Sequence, residues 1–260
     1  MITLKRRHFL TLLPSAVLVS RAYGADTPAI TPSASLKVSP ALKAALANPR
    51  RATDDIKRDD ARKPGETMTF YGIKPGMTVA ELMAGKGYFT SVLAETVGDT
   101  GKVYGQNNAW LADRFPSKRP LADLIDKQVY KNVVEVAAEL EAPLPTGLDA
   151  VFIVMFYHDT VCMNVDRAAM NRAVYAALKP GGIYGVIDHV AARGTGLTEA
   201  NKTHRIERHI VVEEVTAAGF QLTAETDLLA NPDDPLTVPV SRQELRGHTN
   251  QFVLKFNKAT

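Results

Sequence analysis

The chain has 260 residues, enough for one α/β domain with extensions or for two small domains. Its content, 45% hydrophobic and 23% charged, is that of a globular protein and excludes a chain disordered throughout. One cysteine excludes an internal disulfide framework and a cysteine-rich zinc site, while a formal charge of +3 raises the question of an anionic partner.

The first 24 residues account for that charge. They hold Lys5, Arg6, Arg7 and Arg21 and no acid, then an apolar run from Phe9 to Val19, then Ala22 and Gly24 at the −3 and −1 positions of a cleavage site before Ala25. This is the order of a secretory signal peptide, and the run is too short for a membrane span. Arg6-Arg7-His8-Phe9-Leu10 resembles the twin-arginine export signal, so a periplasmic or secreted protein, passed through the export machinery, is expected. Removing residues 1–24 leaves 27 basic against 28 acidic side chains, a formal charge of −1. No dense basic stripe remains for counterion release, and no nucleic-acid partner is expected. Nor is a stable membrane span expected after cleavage.

Residues 25–38, with Pro28 and Pro32 among Ser, Thr and Ala, read as a flexible linker. Ser39-Pro40 opens a short helix by N-cap and N1 chemistry. Further helical stretches follow near 53–62 and, opening at Pro64, near 64–71. Residues 39–71 are thus a helical extension, and 72–260 the main domain. Arg50, Arg51, Lys57, Arg58, Arg62 and Lys63 alternate with Asp54, Asp55, Asp59 and Asp60, the pattern of a solvated, salt-bridged face.

From Met77 strands and helices alternate. Strands are expected at 78–83, 102–106, 133–138, 150–156, 183–187, 220–228 and 252–256. Helices are marked by Phe89, Val92, Leu93 and Val97, by Met170, Val174 and Ala177, and by Val211, Val215 and Ala218. The pattern predicts a seven-stranded, mostly parallel, Rossmann-like sheet with helices on both faces. The last two strands lack a helix between them, which predicts a C-terminal antiparallel hairpin at the sheet edge.

Glu81-Leu82-Met83-Ala84-Gly85-Lys86-Gly87-Tyr88 ends the first of these strands. A glycine turn feeding a helix lets a ligand approach the backbone and meet free N–H groups. By itself this also fits a plain tight turn. Together with Gly101-Lys102-Val103-Tyr104-Gly105-Gln106-Asn107 and Leu178-Lys179-Pro180-Gly181-Gly182, it resembles the class I S-adenosylmethionine-dependent methyltransferases over about residues 64–257. More narrowly, Tyr157-His158-Asp159, Ile187-Asp188-His189 and His204-Arg205-Ile206 resemble an exported branch of predicted methyltransferases. The resemblance implies S-adenosylmethionine as cofactor, held by Glu81, Ala84, Gly85, Gly87, Asn107 and Tyr157. Met83 stands in place of the family's first glycine. Asn107 takes the place of the family's ribose-binding acid, without its charge.

Ligands of open α/β sheets bind beyond the carboxyl ends of the strands. His158, Asp188 and His189 fall there and, with His204 just before a helix, are the candidate catalytic residues; His204 either acts on or clamps substrate or only supplies polarity at the helix start. His158 is either a general base toward a methyl acceptor or a loop histidine bonded to Asp159. Asp188 either orients a substrate donor or His189, or caps a turn. Arg58, Asp59 and Arg62 either cover the cofactor carboxylate or lie at the surface. Trp110 either stacks on the adenine or packs. Cys162 is expected as a buried apolar residue, and His209 and His248 at the surface. The histidine spacing matches no local zinc motif, so no metal is expected. The acceptor is unidentified. The alternative is a degenerate fold that binds a nucleoside-like or other small ligand without turnover.

Overall fold

The computed structural model describes residues 30–260, so the leader and the first residues of the linker lie outside the described region. One sheet contains eight strands: β1 (Ile30–Thr31), β2 (Thr78–Leu82), β3 (Lys102–Asn107), β4 (Val133–Ala137), β5 (Leu148–Val154), β6 (Leu178–His189), β7 (Gln221–Thr226) and β8 (Gln251–Asn257). Their order is β1-β7-β8-β6-β5-β2-β3-β4. Only β8 runs against the rest. In β5, Ala150 to Ile153 are all buried, because helices cover both faces of the central sheet.

Two expectations need correction. The described residues form eight strands, not seven: Ile30 and Thr31 pair in parallel with Glu225 and Thr226, and Ser33 N donates to Asp227 Oδ1 at 2.7 Å. Part of the expected linker is therefore sheet edge. The C-terminal pair is antiparallel as expected, but β8 lies between β6 and β7, reached by the long segment 227–250, so it is neither a tight hairpin nor the edge.

The helices are α1 (Pro40–Leu46), α2 (Thr53–Ile56), α3 (Asp59–Arg62), α4 (Pro64–Tyr71), α5 (Tyr88–Val97), α6 (Ala109–Ala112), α7 (Ala122–Ile125), α8 (Asp159–Cys162), α9 (Arg167–Ala177), α10 (Thr198–Thr203) and α11 (Arg208–Ala217). Ser39 caps α1 by accepting from Leu42 N at 3.1 Å. The helical stretch expected over 53–62 is two single turns, α2 and α3. Its polarity is only half as expected. Lys57–Asp54 and Arg58–Asp55 are surface pairs at 2.8 and 3.2 Å, but Arg51 is fully buried, with Asp59 at 2.6 and 2.7 Å and Leu46 O at 3.0 Å. Arg50 grips Glu95 of α5 at 2.9 and 3.1 Å. The Arg50–Glu95 bonds fasten the extension onto the main domain, while the Arg51 bonds hold the extension itself together.

The sheet walks from β2 out to β4 on one side and from β5 out to β6 on the other. The reversal lies between β2 and β5, and the crevice beyond their carboxyl ends is where such sheets bind ligands.

Candidate active site

The turn after β2 twists through left-handed backbone at Met83 (φ 53°), Gly85 (φ 57°) and Gly87 (φ 89°), and Gly87 leads into α5. A Cβ at Gly87 would lie 2.3 Å from Leu124 Cδ1, a side-chain end that would have to shift, and the φ of 89° is one that glycine adopts readily. At Gly85 a Cβ would meet nothing within 4 Å, because that face opens on a cavity. The end of β3 braces the turn. Gln106 Oε1 accepts from Met83 N at 3.2 Å, and Asn107 Oδ1 accepts from Gly85 N at 2.9 Å. Asn107 is thus turned onto the glycine backbone and buried, not presented free to a ribose.

The cavity holds about 430 Å³, within the range of small-molecule sites, and is lined among others by Arg62, Glu81, Met83, Gly85, Phe115 and Phe156. Ala84 also lines it. Glu81 is buried and accepts from Thr90 Oγ1 at 2.5 Å. Burial pushes its carboxyl up to about 8, against the lowering pull of the Thr90 hydrogen bond and the Arg62 charge. Arg62 makes no salt bridge among the described residues and sits 4.5 Å over the Tyr88 ring. Burial, then repulsion from Arg58, lowers it to about 10, so it stays charged at neutral pH. Arg58 lines the cavity as well, whereas Asp59 faces away, accepting from Arg51 and from the Tyr88 hydroxyl at 2.8 Å. Trp110 does not line the cavity; its ring carries the Arg114 guanidinium.

Tyr157 is also elsewhere. Its ring is fully buried on the far side of the sheet end, where its hydroxyl donates to Glu214 at 2.8 Å and accepts from Asn171 at 2.9 Å. Its neighbours Met155 and Phe156 line the cavity instead, and Met155 takes a positive φ of 58°. Sequence reasoning missed both, although their place just past β5 at the reversal was the available signal.

The remaining candidates do come together. His158 is buried beside the end of β6: Asp188 accepts from its backbone N at 2.8 Å and faces Nδ1 at 2.7 Å, while Asp159 lies 3.3 Å from Nε2. Burial would lower this imidazole, but the charges and hydrogen bonds of Asp188 and Asp159 raise it to about 10. Both ring nitrogens are occupied, so the general-base reading of His158 gives way to the hydrogen-bonded one. Asp188 also accepts from His189 N at 2.7 Å and acts as a hub. His189 Nδ1 bonds Thr249 Oγ1 at 2.8 Å, which in turn accepts from Gln251 Nε2 at 3.1 Å. Burial holds the His189 ring down at about 4, so it is neutral at pH 7. His204, left-handed at φ 56° and half exposed, reaches Asp159 at 3.1 Å. Its ring meets His158 edge-on at 5.4 Å. Arg205 is structural, paired with Asp234 through two bonds of 2.9 Å. Cys162 is exposed rather than buried, with Sγ 3.5 Å from Ala200 O.

No family model matches the chain. It is 34% identical over 119 residues to the ubiquinone/menaquinone biosynthesis C-methyltransferases UbiE of Shewanella baltica and Shewanella oneidensis. That match spans 45% of this chain and 44% of the relatives, less than half of either. Among solved structures, an S-adenosylmethionine-dependent methyltransferase from Aquifex aeolicus superposes with a TM-score of 0.56 at 19% identity, covering 85% of this chain and 99% of that one. An arsenic(III) S-adenosylmethionine methyltransferase from Chlamydomonas reinhardtii gives 0.51 at 19% identity, covering 85% and 74%. The strand order, the single reversed strand and these superpositions agree: the chain has the class I S-adenosylmethionine-dependent methyltransferase fold.

Proposed function

We propose that the chain is an S-adenosylmethionine-dependent methyltransferase. The observation that carries this reading is the cavity beside Gly85, with an acid and an unpaired cation in its wall. The residues fit the cofactor. Arg62 is a charged donor without a salt-bridge partner, suited to the cofactor's carboxylate. Glu81 offers a carboxyl oxygen that can accept from its ammonium, and the bare face of Gly85 leaves the backbone open to close approach. When bound, the cofactor supplies an electrophilic methyl on a sulfonium. The chain's part is alignment and exclusion of water. Met155, Phe156 and Phe115 present an apolar wall that excludes water from the crevice. The similarity to UbiE supports the same activity, though the acceptor of this chain is its own question.

The leader motif supports export: residues 1–24 direct the protein to the periplasm and are removed before Ala25. N-terminal sequencing of the protein from a periplasmic extract tests this, and a start at Met1 counts against it.

Calorimetric titration with S-adenosylmethionine and S-adenosylhomocysteine tests the cofactor. The wild type should bind both saturably. Gly85→Asp should bind neither, because Asp tolerates the left-handed backbone and its carboxylate fills the open face. Binding of neither by the wild type defeats the proposal.

A further inference from the structure

We propose that His158, Asp159 and His204 hold a divalent transition-metal ion of the zinc type, in a site separate from the cofactor cavity. One ligand atom from each of the three lies within 4.8 Å of the others. Asp159 Oδ1 stands 3.3 Å from His158 Nε2 and 3.1 Å from His204 Nδ1. In a tetrahedral site with bonds of about 2.0–2.1 Å, neighbouring ligand atoms sit about 3.3 Å apart. Both separations to Asp159 match that spacing.

Charge and hydrogen bonding point the same way. His158 meets a carboxylate at each ring nitrogen, Asp188 at Nδ1 and Asp159 at Nε2. With a dication at Nε2 the imidazole is neutral, and Asp159 and Asp188 together balance the ion. Nδ1–H then donates to Asp188, the carboxylate–histidine–metal arrangement that fixes a ligand's tautomer and raises its basicity. Asp188 is itself held by the amides of His158 and His189, so it cannot swing away.

The scaffold positions the third ligand. His204 follows α10 in a left-handed conformation, unusual for a residue other than glycine, and this turns its ring over Asp159. Just downstream, Ile206 N donates to His189 O at 3.0 Å, clamping the segment to the end of β6. The half-exposed side of His204 leaves the fourth position open to water or an incoming oxygen or sulfur ligand. A site with three protein ligands and one open position has the form of a catalytic rather than a closed structural site. The ligands come from positions 158, 159 and 204, which is why no local spacing announced them. The site stands whether or not the chain transfers a methyl, since binding is read without cofactor.

The test uses untagged protein stripped with chelator and dialysed against Zn²⁺, with bound metal counted by mass spectrometry. The wild type should retain one ion per chain. His204→Gly suits the left-handed backbone and lacks the imidazole, so it should fold, as judged by circular dichroism, and bind at least tenfold more weakly. Asp188→Asn should weaken binding by about 10–100-fold, as for other outer partners of metal ligands. His209→Ala, outside the cluster, should bind as the wild type. Cobalt in place of zinc should give the intense visible bands of a four-coordinate site in the wild type and not in His204→Gly. A wild type that retains no stoichiometric ion, or a folded His204→Gly that binds as tightly as the wild type, overturns the proposal.

Discussion

Replacing Glu81 by Gln should remove the pH dependence that this carboxyl imposes on stability. Glu81 is 3% exposed, and burial, partly countered by Thr90 and Arg62, lifts its carboxyl from 4.5 to about 8. Between those values the folded protein holds a proton that the unfolded chain has released. Stability therefore falls as pH rises from 4.5 and levels off above 8. At 1.36 kcal/mol per decade of proton affinity the full effect is about 4–5 kcal/mol, of which about 3 kcal/mol falls between pH 5 and 7.5. Gln keeps the size of the side chain and an oxygen for the Thr90 hydroxyl but does not titrate. Urea denaturation of both proteins at pH 5, 6.5 and 7.5 reads the effect as a difference, in which the contributions of His158 and His189 cancel. The Gln variant should gain about 3 kcal/mol on the wild type across that range. A difference that stays constant with pH would mean that Glu81 is ionised in the folded protein, paired with Arg62, and would refute the reasoning.

Three further outcomes are expected. Gly87→Ala should lower the melting temperature far more than Gly85→Ala, since its Cβ collides with Leu124 at 2.3 Å and Leu121 at 2.9 Å while that of Gly85 meets open space; equal losses would contradict the packing argument. Arg62→Met should weaken binding of S-adenosylhomocysteine by about 10–100-fold, the loss of a charge-assisted contact, while leaving 5′-methylthioadenosine, which lacks the amino-acid end, unaffected; a parallel loss for both ligands would move Arg62 away from the carboxylate. Arg51→Met should cost about 3 kcal/mol in urea unfolding, the low end for breaking a buried pair, because Asp59 remains 23% exposed and keeps Tyr88; a cost under about 1 kcal/mol would show that this pair does not hold the extension together.

The parts of the fold that were legible in the sequence are those whose residues answer to one local cause. The run Ala150 to Ile153 reads as a strand because both faces are covered, and Ser39-Pro40 reads as a helix start because capping is local. β1 has only two residues beside Pro32, and its pairing with β7 lies nearly 200 positions away, so no local pattern marks it. The turn at Gly85 and Gly87 was legible as a ligand cradle; the diversion of Asn107 onto Gly85 was not, because it depends on where the end of β3 meets that turn. Tyr157 and Phe156 differ by one position, and the turn after β5 sends one into the core and the other to the cavity. His158 looked free to act as a base because the sequence offered only Asp159 as its partner; the approach of Asp188 to the opposite ring nitrogen depends on where the end of β6 meets the turn after β5. The Arg51–Asp59 bond likewise needed the chain to double back before it could be seen.

The central claim is that the cavity between the glycine turn and the end of β5 holds S-adenosylmethionine. A crystal structure with S-adenosylhomocysteine at saturating concentration tests it most directly. The account predicts density against Gly85, with the carboxylate end at Arg62 and the ammonium end toward Glu81. An empty cavity at saturation, or the ligand bound at another place on the chain, would contradict it.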